Sequence, residues 1–277
     1  MMTSDQGLKP VNESRYLRGF SNLFRKENRA WWKTRRWWVN ALIWTVALGG
    51  LVGMMVFMLP PVAVATGDPN VAAAGGPLAF GLEMGRTVFF ELGTMALAIG
   101  VIVLSQDLII EEKQNGLVEW LLAKPVTRRS YLLAKLTAST ISILILLVIL
   151  PATAAYLLLS LGGGSPFPLL PFLQGLGVVS VHSLFFLSLS VMLGTFFNSR
   201  PPLLGITLAI LLGGNILSGF LQPLLYITPW SLGKVASLTA SGASLPIEML
   251  AAPLISTVVW SLLFVLVGLA RIEKIEF

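Results

Sequence analysis

Six stretches of the chain are apolar over about 20 residues or more, and short polar stretches separate them. An α-helix rises about 1.5 Å per residue, so roughly 20 apolar residues cross the hydrocarbon layer of a bilayer. The stretches lie at residues 39–59, 86–109, 128–160, 171–197, 203–221 and 251–270. The pattern predicts an all-α membrane protein in which residues 1–277 form a single domain with six transmembrane helices.

Residues 15–38, just before the first span, are basic and aromatic. Phe20, Leu23, Phe24 and Trp31 recur at helical spacing, with arginine and lysine on the other face. This pattern is typical of a helix that lies in the membrane interface. It predicts either an elbow helix that positions the first span or a simple anchor at the headgroups.

Two stretches between spans are rich in proline and glycine. Residues 60–85 predict a loop that contains a short helix near residues 78–84. Residues 222–248 are too polar and too often broken to cross a membrane, and their apolar pieces predict short helices that dip into the outer leaflet before the sixth span.

The composition narrows the class of protein. The chain is 55% hydrophobic and only 12% charged, with a mean hydropathy of +0.82, whereas a soluble domain carries about 25% charged residues. Few residues remain for a soluble domain. The chain has no cysteine, which excludes disulfides and thiolate chemistry, and its single histidine excludes a multi-histidine metal site.

The positions of the basic residues predict the orientation. Of 19 lysines and arginines, 17 fall in the N-terminal segment, the stretch between spans two and three, the turn after span four and the C-terminal tail. The positive-inside rule therefore predicts a multi-pass protein of the cell membrane with both termini in the cytoplasm. The net charge of +6 indicates this orientation in lipid rather than binding of nucleic acid.

A polar stretch, residues 109–135, interrupts the apolar sequence between the second and third spans. It predicts a short amphipathic helix over residues 110–124, with leucine and valine at helical spacing. Pro125 ends this helix because it lacks an N–H, and Thr127 is placed to cap the next helix with its hydroxyl. Such a crosswise helix either rests on the lipid surface or is the contact through which a soluble partner moves the spans.

Three polar residues within the spans are candidates for a pathway or for contacts between helices, namely Glu91, His182 and Asn215. Glu91 is either a pathway residue or a partly wetted glutamate near the outer interface, paired with Arg86. For His182 we expect a neutral ring that is hydrogen-bonded to a neighbouring helix, and for Asn215 an interhelical contact.

The chain contains no recognisable enzyme motif. Gly233 and Lys234 do not form a P-loop, because the preceding glycine spacing is missing and Val235 stands where Ser or Thr is required. No serine-hydrolase or zinc-protease motif and no carboxylate cluster at metal spacing occurs. We therefore expect no catalysis and no metal site within this chain.

The polar stretch contains, in order, an acidic run, a glycine with an apolar segment, and a Pro-Val-Thr-Arg turn. The segments are Glu111-Glu112-Lys113, Gly116-Leu117-Val118-Glu119-Trp120-Leu121-Leu122 and Pro125-Val126-Thr127-Arg128. Together with the six spans they resemble the type-two (ABC-2-like) permease family of ABC transporters, which includes sodium-efflux and copper-maturation (nitrous-oxide-reductase accessory) permeases. Tyr131 and Lys135 continue the family's pattern, and Val118 departs from it, since Thr or Ser is more usual there.

The resemblance implies that residues 110–124 are a coupling helix that docks into a separate ATP-binding subunit. The implied coupling residues are Glu111, Glu112, Gly116, Leu117, Glu119, Leu121, Leu122, Pro125, Thr127, Arg128 and Arg129. The partner ATPase would bind ATP and Mg²⁺, and this chain would bind no cofactor. Six spans would form half of a pathway, so a second permease chain, identical or paralogous, is implied, and export is the family's usual direction.

Two other classes of function stay open from the sequence. An ATP-independent secondary transporter or channel predicts charged or broken helices in matching halves, and no internal repeat is visible. A membrane scaffold would use the same amphipathic helix for recruitment without transport. An intramembrane enzyme would need paired catalytic residues, and the spans offer only Glu91 and His182.

Overall fold

The computed structural model describes residues 16–116, 126–221 and 223–274, and the regular structure in these ranges is helical throughout. This confirms the all-α class. The helices are α1 Phe20–Lys33, α2 Trp37–Thr66, α3 Pro69–Ala73, α4 Pro77–Gln114, α5 Arg128–Gly163, α6 Leu169–Phe196, α7 Arg200–Phe220, α8 Leu224–Ile227, α9 Leu232–Ala240 and α10 Ile247–Lys274.

Five of these helices, α2, α4, α5, α6 and α10, are long and apolar enough to cross a membrane. The predicted fifth span corresponds to α7, in which the apolar stretch described, Arg200–Gly214, is shorter than those of the other five helices. The structure therefore supports a multi-pass membrane protein with five candidate spans, and the count of six stays a prediction.

Several helices run beyond the ends that hydropathy predicts. The expected loop at residues 60–85 is wrong, because α2 continues to Thr66 and α4 begins at Pro77. A π-helical turn at Met54–Met58 precedes Pro60, which then lies in the first turn of the next α-helical section. Proline lacks an N–H to donate, and the first turn is where that N–H has no partner in the helix.

Helices α4 and α5 also contain π-helical turns. π-helical turns lie at Val88–Leu92 and at Leu144–Ile149, and the second of these precedes Pro151. A π turn contains one residue more than an α-helical turn, so its N–H groups bond to carbonyls five residues back instead of four. Next to a proline, this shift changes which carbonyl oxygens have no N–H partner. The predicted third span is thus a helix whose hydrogen-bond pattern shifts next to its proline.

The helix α6 lies at the centre of the bundle and packs against α4, α9 and α10. Phe172, near its start, contacts four aromatic rings, with centroid distances of 5.2 Å to Phe90 and 5.3 Å to Tyr156; the other two rings are those of Phe89 and Phe167. Lipid is as apolar as these side chains, so close packing rather than water exclusion stabilises this core.

The region between α7 and α10 contains the predicted short helices. After α8, a 3₁₀ turn at Pro229–Ser231 leads into α9, which packs against α6 and the π turn of α4. A Cβ on Gly175 of α6 would lie 2.7 Å from the carbonyl oxygen of Ala236, so only glycine permits this approach. The short helices before α10 are confirmed, and their depth in a leaflet stays a prediction.

Candidate functional site

Most of the charged residues that the structure describes gather at one end of the bundle, which we call the charged end. It is formed by α1, the end of α4, the start of α5, the turn between α6 and α7, and the end of α10. The polar stretch singled out by the sequence connects α4 to α5 here. Residues 117–125 lie outside the described residues, and with them the predicted coupling residues Leu117, Glu119, Leu121, Leu122 and Pro125.

The start of the predicted coupling segment belongs to α4. The helix runs past the predicted end of the second span at Ile109 and stops at Gln114, so Glu111 and Glu112 project from the last turns of a spanning helix. Glutamate, lysine and glutamine are good helix formers, which explains the extension. The following Gly116 has a φ of +65°, a conformation that glycine adopts without strain.

A four-charge network, made of Lys26, Glu27, Glu112 and Lys135, joins α1, α4 and α5. The Lys135 Nζ atom lies 3.1 Å from Glu27 Oε2 and 3.0 Å from Glu112 Oε2. The Lys26 Nζ atom lies 3.0 Å from Glu112 Oε1 and 3.4 Å from Glu27 Oε1. Each carboxylate therefore contacts both ammonium groups, and the network connects α1 to the facing ends of α4 and α5, which follow one another in the chain.

The network is largely shielded from solvent. The Lys135 side chain is 4% exposed and that of Glu27 is 10% exposed, so neither charge is stable there without its partner. The Tyr131 hydroxyl donates at 2.7 Å to Glu112 Oε2, the same oxygen that faces Lys135. Burial acts to lower the pKa of Lys26, but hydrogen bonding and attraction from Glu112 and Glu27 outweigh it, and the pKa is raised.

The residues that precede α5 are held against the start of α1. The Thr127 side chain accepts a hydrogen bond from the Ser130 N–H, which confirms the predicted cap. Its hydroxyl also lies 3.0 Å from the carbonyl oxygen of Tyr16, and its N–H donates to the Arg18 carbonyl at 3.1 Å. A Cβ on Gly19 would lie 2.8 Å from Val126 Cγ2, so α1 begins in contact with the residues that directly precede α5.

The two predicted arginines of the coupling segment contact the end of α10. Arg128 donates to the carbonyl oxygen of Glu273 at 2.7 Å, and Arg129 forms an ion pair with the Glu273 carboxylate. The Arg129 guanidinium also lies 5.7 Å from the centre of the Tyr16 ring. These arginines therefore connect the last spanning helix to α5.

The end of α4 contacts the turn between α6 and α7. Lys113 donates to the carbonyl oxygen of Thr195 at 2.8 Å, and Gln114 donates to that of Asn198 at 2.9 Å. Asp107 forms an ion pair with Arg200 at the start of α7. The helix end that precedes the undescribed segment is thus attached to α1 on one side and to α6 and α7 on the other.

A cavity of about 290 Å³ adjoins the network between α1 and α4. Carboxylates border it, together with Trp31 and the ammonium group of Lys135. No group of three or more metal-binding side chains in a suitable arrangement occurs within the described ranges. The contacts that the structure shows at the charged end are ion pairs and hydrogen bonds between helices.

The polar residues predicted within the spans are not brought together with this site. Glu91 is exposed on the π turn of α4, and Arg86 donates to Ser237 of α9; within the described chain no ion pair joins Glu91 and Arg86. His182 is buried beside Phe186, with ring centroids 5.1 Å apart, and its Nδ1 has no hydrogen-bond partner among the residues described. The Asn215 side chain lies outside what the structure describes.

Sequence reasoning did not single out Lys26, Glu27 or Glu273. A signal for Glu27 existed, because it lies seven residues after Phe20 and four before Trp31, on the apolar stripe of α1. A charge on the apolar face of a helix indicates a buried partner. The structure provides that partner in Lys135, 108 residues away in the chain.

Comparison with known protein families matches residues 21–276 to the family described as ABC-2 family transporter protein. No curated protein matches the chain. The narrower resemblance to sodium-efflux and copper-maturation permeases stays a prediction. Because the match extends from α1 to the end of the described residues, the chain belongs to the ABC-2 transporter family of membrane proteins.

Proposed function

We propose that this protein is the permease subunit of an ABC transporter, and that residues 110–124 couple it to a separate ATP-binding subunit. The observation that carries the proposal, beside family membership, is the attachment of both flanks of this segment to other helices. A force applied to the segment would reach α1, α6, α7 and α10 through direct contacts. Hydrolysis of ATP would take place on the partner, with its own bound ATP and Mg²⁺.

The ATPase can bias the permease only if it contacts two conformations differently. In this proposal the apolar residues Leu117, Leu121 and Leu122 form the docking contact. Glu111 and Glu119 would lie on its polar rim. Closure of the ATPase would draw the segment inward and tilt α4 and α5 together, because the four-charge network joins their ends.

We further propose that two permease chains pair and that the direction of transport is export. In the single chain few residues of α2 and α10 are buried along their apolar length. Lipid and a second chain together would cover these surfaces. The cell membrane, with both termini in the cytoplasm, is the proposed location, and it rests on the distribution of lysine and arginine.

The test is affinity purification of the tagged chain from its native membrane, with identification of the proteins that accompany it. We expect a P-loop ATPase in stoichiometric amount, and its loss in Leu121→Glu, because a charge would enter the apolar docking face. The control is Leu78→Glu, which introduces the same charge at an exposed leucine at the opposite end of α4 and should retain the ATPase.

The other outcomes separate the remaining classes. A Leu121→Glu chain that keeps its ATPase at full strength would contradict the coupling assignment. A wild-type chain that purifies alone and moves solute without ATP would be a secondary transporter or channel. A chain that purifies alone and moves nothing would be a scaffold.

A further inference from the structure

The apolar face of α1 packs against the other helices of the protein and not against lipid. Leu23 and Glu27 are buried, and Phe20, Phe24 and Trp31 pack against the bundle, chiefly along the start of α5. The helix is therefore held to the protein by its apolar stripe and to Lys135 by its glutamate. Insertion of that stripe into the membrane does not occur in this arrangement.

The opposite face of α1 carries a stripe of cations. Arg25, Arg29 and Lys33 are spaced four residues apart, which places them on one side of the helix. Arg25 and Arg29 each lie two residues from Glu27, about 200° around the helix from the buried face. All three side chains are exposed, so the stripe faces away from the bundle.

These cations differ from most other basic residues of the protein. Lys26, Arg129, Lys135 and Arg200 have carboxylate partners. Lys113 donates to backbone carbonyls. By contrast, within the part of the chain that the structure describes, no carboxylate oxygen lies within 4.0 Å of Arg25, Arg29 or Lys33. A row of three exposed, unneutralised cations complements an anionic surface.

The position of the row indicates which anionic surface. The helix ends at Lys33, and the first spanning helix starts at Trp37, about one helical turn further on. Trp37 and Trp38 are exposed there, and the Trp37 ring lies 6.0 Å from that of Trp32. Exposed tryptophans at the end of a span lie at the level of the lipid headgroups.

We propose that Arg25, Arg29 and Lys33 form a binding surface for the headgroups of anionic phospholipids in the leaflet from which the first span begins. Phosphate oxygens accept hydrogen bonds from guanidinium and ammonium groups, and each cation near an anionic membrane favours binding about fivefold. In this proposal α1 is held by apolar contacts on the protein side and by charge on the lipid side.

The test uses the full chain in lipid vesicles, without ATPase or nucleotide, so its outcome is independent of the proposed transport function. The chain has no cysteine, so Asn22→Cys, exposed one turn before Arg25, gives a single site for a fluorescent label. Quenching is measured with phosphatidylglycerol or phosphatidylcholine carrying the same spin label on the acyl chain, in phosphatidylcholine vesicles.

We expect half-maximal quenching at a several-fold lower mole fraction of labelled phosphatidylglycerol than of labelled phosphatidylcholine. Adding Arg25→Gln, Arg29→Gln and Lys33→Gln should abolish the difference, and Arg25→Lys with Arg29→Lys should keep it. Lys234→Gln, which removes an exposed cation from α9, should also keep it.

Equal quenching by the two lipids in the otherwise unmodified chain would overturn the proposal, because it would show proximity to lipid without recognition of charge. Absence of quenching by either lipid would also overturn it and would indicate that the stripe faces water or an acidic protein surface. A selectivity that survives the triple glutamine substitution would assign the binding to other residues.

Discussion

The two ends of the helical bundle are stabilised by different kinds of contact. At the charged end, ion pairs and donated hydrogen bonds join α1, α4, α5, α7 and α10. At the other end, which we call the aromatic end, Phe89, Phe90, Tyr156, Phe167 and Phe172 pack together beside α9. The stability of the charged end depends on the identity of both partners in each ion pair. The stability of the aromatic end depends on how well the side chains fit together.

The two ends should respond differently when a helix moves. A close-packed aromatic cluster has low compressibility and no polar partners to exchange. An ion-pair network has defined partners, so it can exchange them when a helix moves. We infer that the charged end is suited to transmit a movement and the aromatic end to remain in place.

The largest effect should follow from breaking the four-charge network at its most buried member. Lys135→Met leaves Glu27 with only the half-exposed Lys26 as a partner. Removal of one member of a buried ion pair destabilises a protein by about 3–5 kcal/mol. We expect a clearly lowered midpoint of thermal unfolding in detergent.

The matched control is Glu27→Gln combined with Lys135→Met, which removes a buried charge of each sign. This variant should recover part of the lost stability, since Glu112 keeps Lys26 and Tyr131. A Lys135→Met protein that unfolds at the wild-type temperature would show that the network does not stabilise the charged end.

A smaller effect is expected from a change of shape at the aromatic end. In Gly175→Ala the new methyl group would lie 2.7 Å from the Ala236 carbonyl and 3.0 Å from Phe90. Overpacking of this kind destabilises by about 1–3 kcal/mol. The measurement is again the thermal midpoint, with a separate assay for binding of the ATPase, which should be unaffected.

The neighbouring Gly177→Ala provides the comparison, because no atom lies within 4 Å of the added methyl group. Alanine is the better helix former by up to about 1 kcal/mol, so this variant should be as stable as the wild type or slightly more stable. Equal destabilisation by both substitutions would mean that close packing against α9 is not the cause.

The smallest effect is expected at His182, which lies between the two ends on α6. Its Nδ1 is buried without a hydrogen-bond partner among the described residues, so the ring contributes packing more than polar contact. His182→Phe replaces it with a ring of similar size and should leave stability and transport nearly unchanged. Loss of transport in a normally folded His182→Phe protein would instead identify a pathway residue.

The apolar helices were largely predictable, because apolar length is a local property of the sequence. The Thr127 cap and the short helices before α10 were predictable for the same reason, since each depends on a few neighbouring residues. The continuation of α2 through Pro60 could not be predicted, because a π turn produces no recognisable pattern of hydrophobic and polar residues. The aromatic end was not predictable either, because its rings come from α4, α5, the loop before α6, and α6 itself.

The charged end was predictable only in part. The polar stretch between α4 and α5 is evident, and so is its basic flank. The contacts that hold it to α1, α6 and α10 are formed between residues separated by 82 to 145 positions, and no local pattern pairs Lys113 with Thr195 or Arg128 with Glu273. Among Lys26, Glu27 and Glu273, which sequence reasoning missed, only Glu27 carried a readable signal, because it interrupts the apolar stripe of α1.

The three π turns have a consequence for how the sequence of this protein can change in length. Deleting one residue from an α-helix rotates everything beyond it by about 100° and turns its packed face away from its neighbours. A π turn already contains one residue more than the α-helical pattern requires. We therefore expect single-residue deletions within 54–58, 88–92 or 144–149 to leave the downstream helical faces in register, so that natural variation in the length of these spans concentrates there.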